Sequence, residues 1–259
     1  MRFLSIASGS SGNSYFLEHG GQNFLIDAGV SGKRVQNALY KYNIRNLSGI
    51  FITHEHRDHI SGAGVLARRF KTDVYATPHT WRYFLRHNSI GVLDDSQIKF
   101  IEPGWNVRIG DAEVVAFDIP HDATHPVGYT ISAGGEKAAF ATDLGYATDT
   151  VRENLSGARL LVLESNHDPE MLKNGRYHYS LKIRVAGKRG HLSNEAAGML
   201  LAEVAVPDFS HVVLAHLSEE NNTPMLALDT VTRVLELQGV RPLYVEVAER
   251  HIAGELIVL

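Results

Sequence analysis

The segment "FITHEHRDHI" constrains this chain most, because an apolar strand runs directly into three histidines and an aspartate. In an extended segment, side chains two residues apart point the same way, so His54 and His56 can converge on one ion. Asp58 and His59 follow at a predicted turn into a helix and can face a second ion. Imidazole and carboxylate ligands suit Zn²⁺, Mn²⁺ or iron better than Ca²⁺. The competing interpretation, a helix cap at Asp58 with surface histidines, does not account for so dense a cluster.

The composition excludes several other kinds of site. The 259 residues include no cysteine, which excludes disulfides, thiolate metal sites and a cysteine nucleophile. The net charge of −4 offers no general attraction to nucleic acid or membranes, so a polyanion site has to be a local patch. The N-terminal segment does not read as a signal peptide, and no apolar run reaches the roughly 20 residues that span a bilayer. We therefore expect a cytoplasmic protein without membrane association.

Strand and helix patterns alternate along the whole chain. The first part reads as strands joined at Gly20-Gly21, then a helix through "KRVQNALYKY" that Ser31 can cap. Strand–helix units follow in "GIFITH" with "ISGAGVLARRF" and in "DVYAT" with "PHTWRYFLRH". The middle is rich in strands, and the last third alternates again through "ARLLVLES", "NEAAGMLLAEVA", "HVVLAH", "PMLALDTVTRVLELQ" and "PLYVEVA". The pattern predicts one domain over residues 1–259, with two mixed sheets packed together and helices outside.

The His-x-His-x-Asp-His motif resembles that of the metallo-β-lactamase fold superfamily. "LIDAG", "HDATHPVGY", "ATDLGY" and "LAHLSEENNTP" resemble further motifs of that superfamily, in the same order. Together with "SGSSGNSYFL", "LESNHD" and "GHLSN", they are similar to the YycJ/WalJ (VicX) branch, which is related to the RNase Z and RNase J nucleases. The resemblance implies an α/β (α+β) fold, a four-layer αββα sandwich. The segment between Asp143 and His216 is too short for the β-CASP insertion domain of RNase J.

The resemblance also implies a set of metal ligands for two divalent ions, Mn²⁺ or Zn²⁺. One ion is expected on His54, His56 and His121, the other on Asp58, His59 and His216. Asp143 is expected to bridge both ions, and Asp27 to support the site. His125 lies four residues after His121, but the family pattern places the ligand before Asp-Ala, which favours His121.

Three clusters bear on the substrate. His191 in "GHLSN" stands where RNase Z-like enzymes place a histidine that serves the leaving group; the alternative is a helix-entry residue with Ser193 as the cap. The segment "RYHYSLKIRVAGKRGH" is a dense basic run that can track a phosphate backbone or form a solvated helix face. "GSSGN" can bind a phosphate or form only a tight turn. The candidate substrate-binding residues are Ser10, Ser11, Asn13, Arg176, Lys182, Arg184, Lys188, Arg189, Ser193 and Asn194.

The resemblance implies a phosphodiesterase with two metal ions that acts as a 5′→3′ exonuclease, and DNA is the expected substrate. Asp58 and Asp143 would position the nucleophile and accept its proton, and His191 would stabilise or protonate the leaving oxygen. DNA is a better match than RNA, and the oligomeric state is not indicated. Two alternatives stay open: a small-molecule hydrolase (phosphodiesterase, thioesterase or lactonase) on the same fold, or a non-catalytic regulatory protein that binds nucleic acid.

Overall fold

The computed structural model of the chain describes residues 1–204, 210–240 and 244–259. The first seven strands are β1 (Arg2–Ala7), β2 (Ser14–His19), β3 (Gln22–Ile26), β4 (Gly49–Phe51), β5 (Val74–Ala76), β6 (Ile98–Phe100) and β7 (Asn106–Ile109). The other strands are β8 (Ala112–Asp118), β9 (Val127–Ala133), β10 (Glu136–Ala141), β11 (Leu160–Glu164), β12 (His211–Ala215), β13 (Tyr244–Val247) and β14 (Ile257–Val258).

Helices occupy the connections between these strands. They are α1 (Gly32–Lys41), α2 (Arg57–Ile60), α3 (Ala63–Phe70), α4 (Pro78–His87), α5 (Asp149–Leu155), α6 (Pro169–Asn174), α7 (Tyr179–Val185), α8 (Asn194–Glu203) and α9 (Pro224–Leu237). The caps follow the sequence: the Ser31 side chain accepts from the Arg34 backbone N–H at the start of α1, as predicted. In the part of the chain that the structure describes, no helix is both long and apolar enough to cross a membrane.

The strands form two seven-stranded sheets of similar design. The first sheet has the order β14-β1-β2-β3-β4-β5-β6 and the second β13-β12-β11-β10-β9-β8-β7. In each sheet, antiparallel hairpins give way to parallel strands joined through helices. The carboxyl ends of parallel strands lie at one edge of a sheet, which is where ligands usually bind.

An aromatic core holds the two sheets together. Phe3 of the first sheet lies 6.4 Å from Phe140 of the second, and Phe51 lies 5.5 Å from Tyr129, both measured between ring centroids. The Tyr129 hydroxyl donates to the Ile52 carbonyl at 2.7 Å, just beyond β4. Close contact between the sheets at this point fixes the segment that follows β4 against the second sheet.

The outer layers are helical on both sides. α1, α3 and α4 pack their buried faces on the first sheet, and α5, α8 and α9 pack theirs on the second. The four-layer arrangement predicted from the sequence is therefore confirmed. The predicted strand "PLYVEVA" starts outside the described residues and continues as β13, and the predicted helix "NEAAGMLLAEVA" ends outside them.

Candidate metal centre

The predicted ligands lie at the strand ends of both sheets. His54, His56, Asp58 and His59 follow β4 of the first sheet, while His121, Asp143 and His216 follow β8, β10 and β12 of the second. The two sheets face each other with these ends on the same side. Seven ligand-type side chains from four separate segments of the chain are thereby brought together.

Three histidines form the first cluster. His54, His56 and His121 place one nitrogen each within 4.8 Å of one another, and the His54 and His121 rings are 5.1 Å apart. The convergence of His54 and His56 follows from their spacing in an extended segment. His125 is not in this cluster, because its Nε2 pairs with Asp118 Oδ1 at 3.0 Å on the surface.

The second cluster contains Asp58, His59 and His216, again with ligand atoms within 4.8 Å. The two clusters meet at Asp143. One of its carboxylate oxygens lies 3.0 Å from His59 Nε2, and the other lies 3.6 Å from His121 Nε2. Asp143 therefore stands between the two clusters, which is the place of a bridging carboxylate.

Hydrogen bonds fix which nitrogen of each imidazole faces the centre. His121 Nδ1 pairs with the Gly190 carbonyl at 3.1 Å, and His59 Nδ1 pairs with Asp27 Oδ2 at 2.7 Å. Asp27 also accepts from the Thr53 backbone N–H at 2.9 Å, so it supports the site without facing the cleft. In both histidines Nε2 is left for the centre, the arrangement typical of metal-binding histidines.

The donor atoms left over fit divalent cations. Within the described residues, His54 Nε2, His121 Nε2 and His216 Nε2 are buried and have no hydrogen-bond partner. Buried polar atoms normally have one, so three such nitrogens in one cluster fit the coordination of a cation. Imidazole and carboxylate donors together suit Zn²⁺ or Mn²⁺.

The protonation of the cluster supports the same fit. Burial opposes the charged form of His216, but the carboxylates of Asp143, Asp58 and Glu164 together outweigh it and raise the pKa of His216 to about 10. Burial also opposes a charged His59, yet the surrounding carboxylates raise its pKa well above the usual value. By contrast, burial lowers the pKa of His54 and of His121, which favours their neutral, metal-binding form. The carboxylates thus attract positive charge, which bound cations would supply in place of protons.

Three residues of the centre have an unusual backbone. Asp27, Asp143 and His216 have φ values of 57°, 60° and 55°, in the left-handed region that glycine adopts most easily. Each follows the end of a strand, and the sharp change of direction turns its side chain toward the centre or its support. Local strain of this kind is concentrated at functional sites.

Glu164 is a functional residue that the sequence interpretation left without a role. Its carboxylate is fully buried, and Oε1 accepts from His191 Nδ1 and His216 Nδ1, both at 2.8 Å. Oε2 accepts from the backbone N–H groups of Leu144 and Leu192 at 2.7 and 3.0 Å. One signal was present: Glu164 ends the buried strand β11, which lies between the strands that carry Asp143 and His216.

A cleft of about 230 Å³ opens over the candidate ligands. His191 lines it, with its ring centroid 5.1 Å from that of His121 and 5.2 Å from that of His216. Ser10 and Arg184 line it too, and Tyr177 joins them without having been singled out in the sequence. His191 therefore forms part of the cleft wall.

The basic run is divided between the cleft and the surface. Arg184 pairs with Asp122 at the cleft wall, and Arg189 Nε donates to the His121 carbonyl at 3.2 Å. Lys182 donates to the Lys173 carbonyl at 2.7 Å, away from the metal ligands. Arg176 and Lys188 are exposed. Of these five side chains, Arg184 is the one that lines the cleft.

Three of the candidate substrate-binding residues have supporting positions instead. Asn13 is fully buried, and its amide nitrogen lies 3.1 Å from His59 Nε2. Asn194 is also fully buried and bonds to Ser165 and Asn222. Ser193 accepts from the Ala196 N–H as the cap of α8. We therefore do not retain these three as direct substrate contacts, whereas Ser10 and Ser11 are exposed and accessible.

The comparisons with known proteins identify the family. The profile described as "Beta-lactamase superfamily domain" matches residues 22–217, which include all seven candidate ligands. The chain belongs to this superfamily. It is 42% identical over 243 residues to exodeoxyribonuclease YycJ of Bacillus anthracis, covering 92% of this chain and 90% of the relative. It is 37% identical over 236 residues to exodeoxyribonuclease WalJ of Streptococcus pneumoniae serotype 2 (strain D39), covering 90% and 88%.

A solved structure supports the superfamily at the level of the fold. The metallo-β-lactamase fold protein YhfI of Bacillus subtilis matches with a TM-score of 0.70 at 18% identity, covering 98% of this chain and 99% of that one. The resemblance to the superfamily and to its YycJ/WalJ branch is confirmed, and so is the predicted fold class.

Proposed function

We propose that this chain is an exodeoxyribonuclease that uses two divalent ions, Mn²⁺ or Zn²⁺, and degrades DNA from the 5′ end. Residues 1–259 would act as one domain, and the expected location is the cytoplasm. The observation that carries the proposal is the set of seven ligand side chains from both sheets, in a chain 42% identical to an exodeoxyribonuclease. A small-molecule hydrolase does not need the basic wall that Arg184 gives the cleft.

The ligands would hold the ions in two groups. His54, His56 and His121 would bind one, and the cluster of Asp58, His59 and His216 would bind the other, with Asp143 between them. When bound, such a pair of ions polarises a phosphoryl oxygen and activates water for attack on phosphorus. Asp58 and Asp143 would position the attacking water and take up its proton.

His191 would act on the opposite side of the reaction. Its Nδ1 is held by Glu164 at 2.8 Å, so its Nε2 is the nitrogen that can exchange a proton with the leaving oxygen. Burial opposes a charged His191, but the carboxylates of Glu164 and Asp143 together outweigh it and raise the pKa of His191 above the usual value. A protonated imidazole in the cleft is what a general acid requires.

The substrate would enter along the side of the cleft that Arg184 and Tyr177 line. An arginine can bind a backbone phosphate, and a tyrosine ring can stack on a base, which together suit a single strand. Arg184 is paired with Asp122, so its charge is shared between a protein carboxylate and a bound phosphate.

The proposal is tested with end-labelled DNA and RNA, each single-stranded and double-stranded, incubated with the protein and added Mn²⁺, Zn²⁺ or Mg²⁺. We expect DNA to be shortened one nucleotide at a time from the 5′ end, with RNA cut more slowly. Bis(p-nitrophenyl) phosphate serves as a substrate without a polynucleotide backbone.

Two results would contradict the proposal. Turnover of the nitrophenyl ester with every nucleic acid intact would favour a small-molecule phosphodiesterase. A protein that binds DNA, contains no metal and hydrolyses neither substrate would favour a regulatory role.

A further inference from the structure

A second pocket, of about 560 Å³, lies beside the metal cleft. We name it the serine–arginine pocket after the residues that line it: Ser10, Ser11, Ser31, Arg34, Arg57 and Ser61. Ser10 and Asp58 line both this pocket and the metal cleft, so the two spaces adjoin. A molecule that has one group at the metal ligands can therefore place its next group here.

The lining of the pocket is selective for anions. It combines two guanidinium groups with the hydroxyls of Ser10, Ser11 and Ser31, and both kinds of group are good phosphate donors. The fourth hydroxyl, that of Ser61, donates to the Arg57 carbonyl at 2.6 Å and holds the segment that carries Arg57. Arg34 is fixed beside the pocket, because its Nη2 donates to the carbonyls of Ile6 and Arg250, both at 3.0 Å. Arg57 is exposed and free to reach a ligand. Asp58 adds one carboxylate, but its Oδ2 lies toward His216 Nε2, 3.5 Å away, on the metal side.

The walls of the pocket are preorganised. The Asn13 N–H donates to the Asp58 carbonyl at 2.7 Å, and the Gly29 N–H donates to the Asn13 carbonyl at 2.7 Å. The Gly62 N–H donates to the Ala28 carbonyl at 2.7 Å, which ties a third segment to the same point. A Cβ on Gly29 would lie 1.5 Å from the Asp58 carbonyl oxygen, so this packing requires glycine. Rigid walls next to the metal ligands suit a binding site for a defined group.

We propose that the serine–arginine pocket binds the terminal phosphate of the DNA strand, one nucleotide away from the bond that is cut. This inference rests on the proposed nuclease function. A terminal phosphate carries a charge of about −1.5 to −2 at neutral pH, whereas a phosphodiester carries one negative charge. Two arginines therefore favour the strand end over the strand interior. Binding the end in this pocket places the first phosphodiester at the metal ligands, which explains cleavage at an end.

The test uses an oligodeoxynucleotide in three forms, with a 5′-phosphate, with a 3′-phosphate, or with hydroxyls at both ends. The Mn²⁺-loaded protein is given each form, single-stranded and as a duplex, and kcat/KM of the first cleavage is measured. Phosphorothioate versions give the Kd without turnover. We expect the wild type to prefer one phosphorylated end by about 10- to 100-fold, the effect of charge-assisted hydrogen bonds to one phosphate. The proposed direction of degradation requires the 5′-phosphate to be preferred, and a preference for the 3′-phosphate would contradict cleavage from the 5′ end.

Two variants and their matched controls locate the effect. Arg57→Gln and Ser61→Asp should lose the preference in both kcat/KM and Kd. Arg233→Gln removes an exposed arginine on α9, in the outer layer of the second sheet, and should keep the preference, as should the neutral Ser61→Asn. Metal content is measured for each variant, because Arg57 adjoins Asp58.

The possible outcomes separate this inference from the proposed function. If the wild type degrades DNA but prefers neither phosphorylated end, or if Arg57→Gln and Ser61→Asp keep the preference, the pocket is not an end-binding site and the nuclease function stands. If no form of the DNA is cut under any condition, both proposals are wrong.

Discussion

Replacing Glu164 by glutamine tests how the centre is held together. The change keeps the size of the side chain and removes one charge from a carboxylate that accepts four hydrogen bonds. The Leu144 and Leu192 N–H groups need an acceptor, so the amide oxygen of glutamine must turn to them. Its NH₂ group then faces His191 and His216, and both imidazoles have to accept at Nδ1.

The consequences can be estimated from this geometry. Bonds to a charged group contribute roughly 1 kcal/mol more than neutral ones, so four weakened bonds lower the free energy of unfolding by about 4 kcal/mol. An imidazole that accepts at Nδ1 carries its hydrogen on Nε2, where the metal would bind. Changes to such supporting groups typically weaken metal affinity by about 10- to 100-fold. We therefore expect Glu164→Gln to be less stable and to bind metal less tightly.

The assay is urea unfolding of the protein with chelator and with saturating Mn²⁺, combined with calorimetric titration of the metal. Glu203→Gln is the matched control, because Glu203 forms a surface ion pair with Arg152 at 2.6 Å. Its loss should change the free energy of unfolding by at most about 1 kcal/mol. If Glu164→Gln resembles this control in both stability and metal affinity, the hydrogen-bond reasoning is refuted.

Four further predictions concern the ligands and the cleft. His121→Ala should lose metal by mass spectrometry and nearly all turnover, whereas His125→Ala should keep both; the reverse would show that the third histidine was assigned incorrectly. The wild type should bind two ions per chain and Asp143→Ala fewer, and a calorimetric titration of the wild type that saturates at one ion contradicts the two-ion proposal. Arg184→Gln should reduce the slope of log DNA affinity against log salt concentration by about 0.7–0.9. If the variant loses turnover equally on DNA and on bis(p-nitrophenyl) phosphate, Arg184 does not contact the DNA backbone. His191→Ala should keep its metal and its turnover of the nitrophenyl ester, because that leaving group needs no proton. Its turnover of DNA should fall by about 10²–10⁴-fold. Small and equal losses of turnover on both substrates would make His191 a helix-entry residue.

The elements and the first cluster of candidate ligands could be predicted because their signals are local. Strand and helix periodicity, the Ser31 cap and the spacing of His54 and His56 all act within a few residues. The resemblance to known motifs then supplied the distant ligands His121 and His216, which periodicity alone does not connect to the first cluster.

What could not be predicted depends on contacts between distant segments. The role of Glu164 requires that β11 lie between β10 and β12, and nothing in its own segment reveals that order. The burial of Asn194 depends in the same way on Ser165 and Asn222. The short strand β14 forms by pairing with β1 at the other end of the chain, which no local pattern indicates.

The left-handed backbone at Asp27, Asp143 and His216 has an evolutionary consequence. Glycine would adopt these conformations with less strain, by about 1 kcal/mol at each position, yet none of the three is glycine. Apart from the hydrogen bonds between Asp27 and Thr53, the polar contacts of these side chains lie within the centre, so selection for the site has to maintain them. In a lineage that no longer uses the site, mutation should drift toward glycine at these positions while the sheets persist. The residues found at these three positions in related chains would therefore record which lineages still depend on the centre.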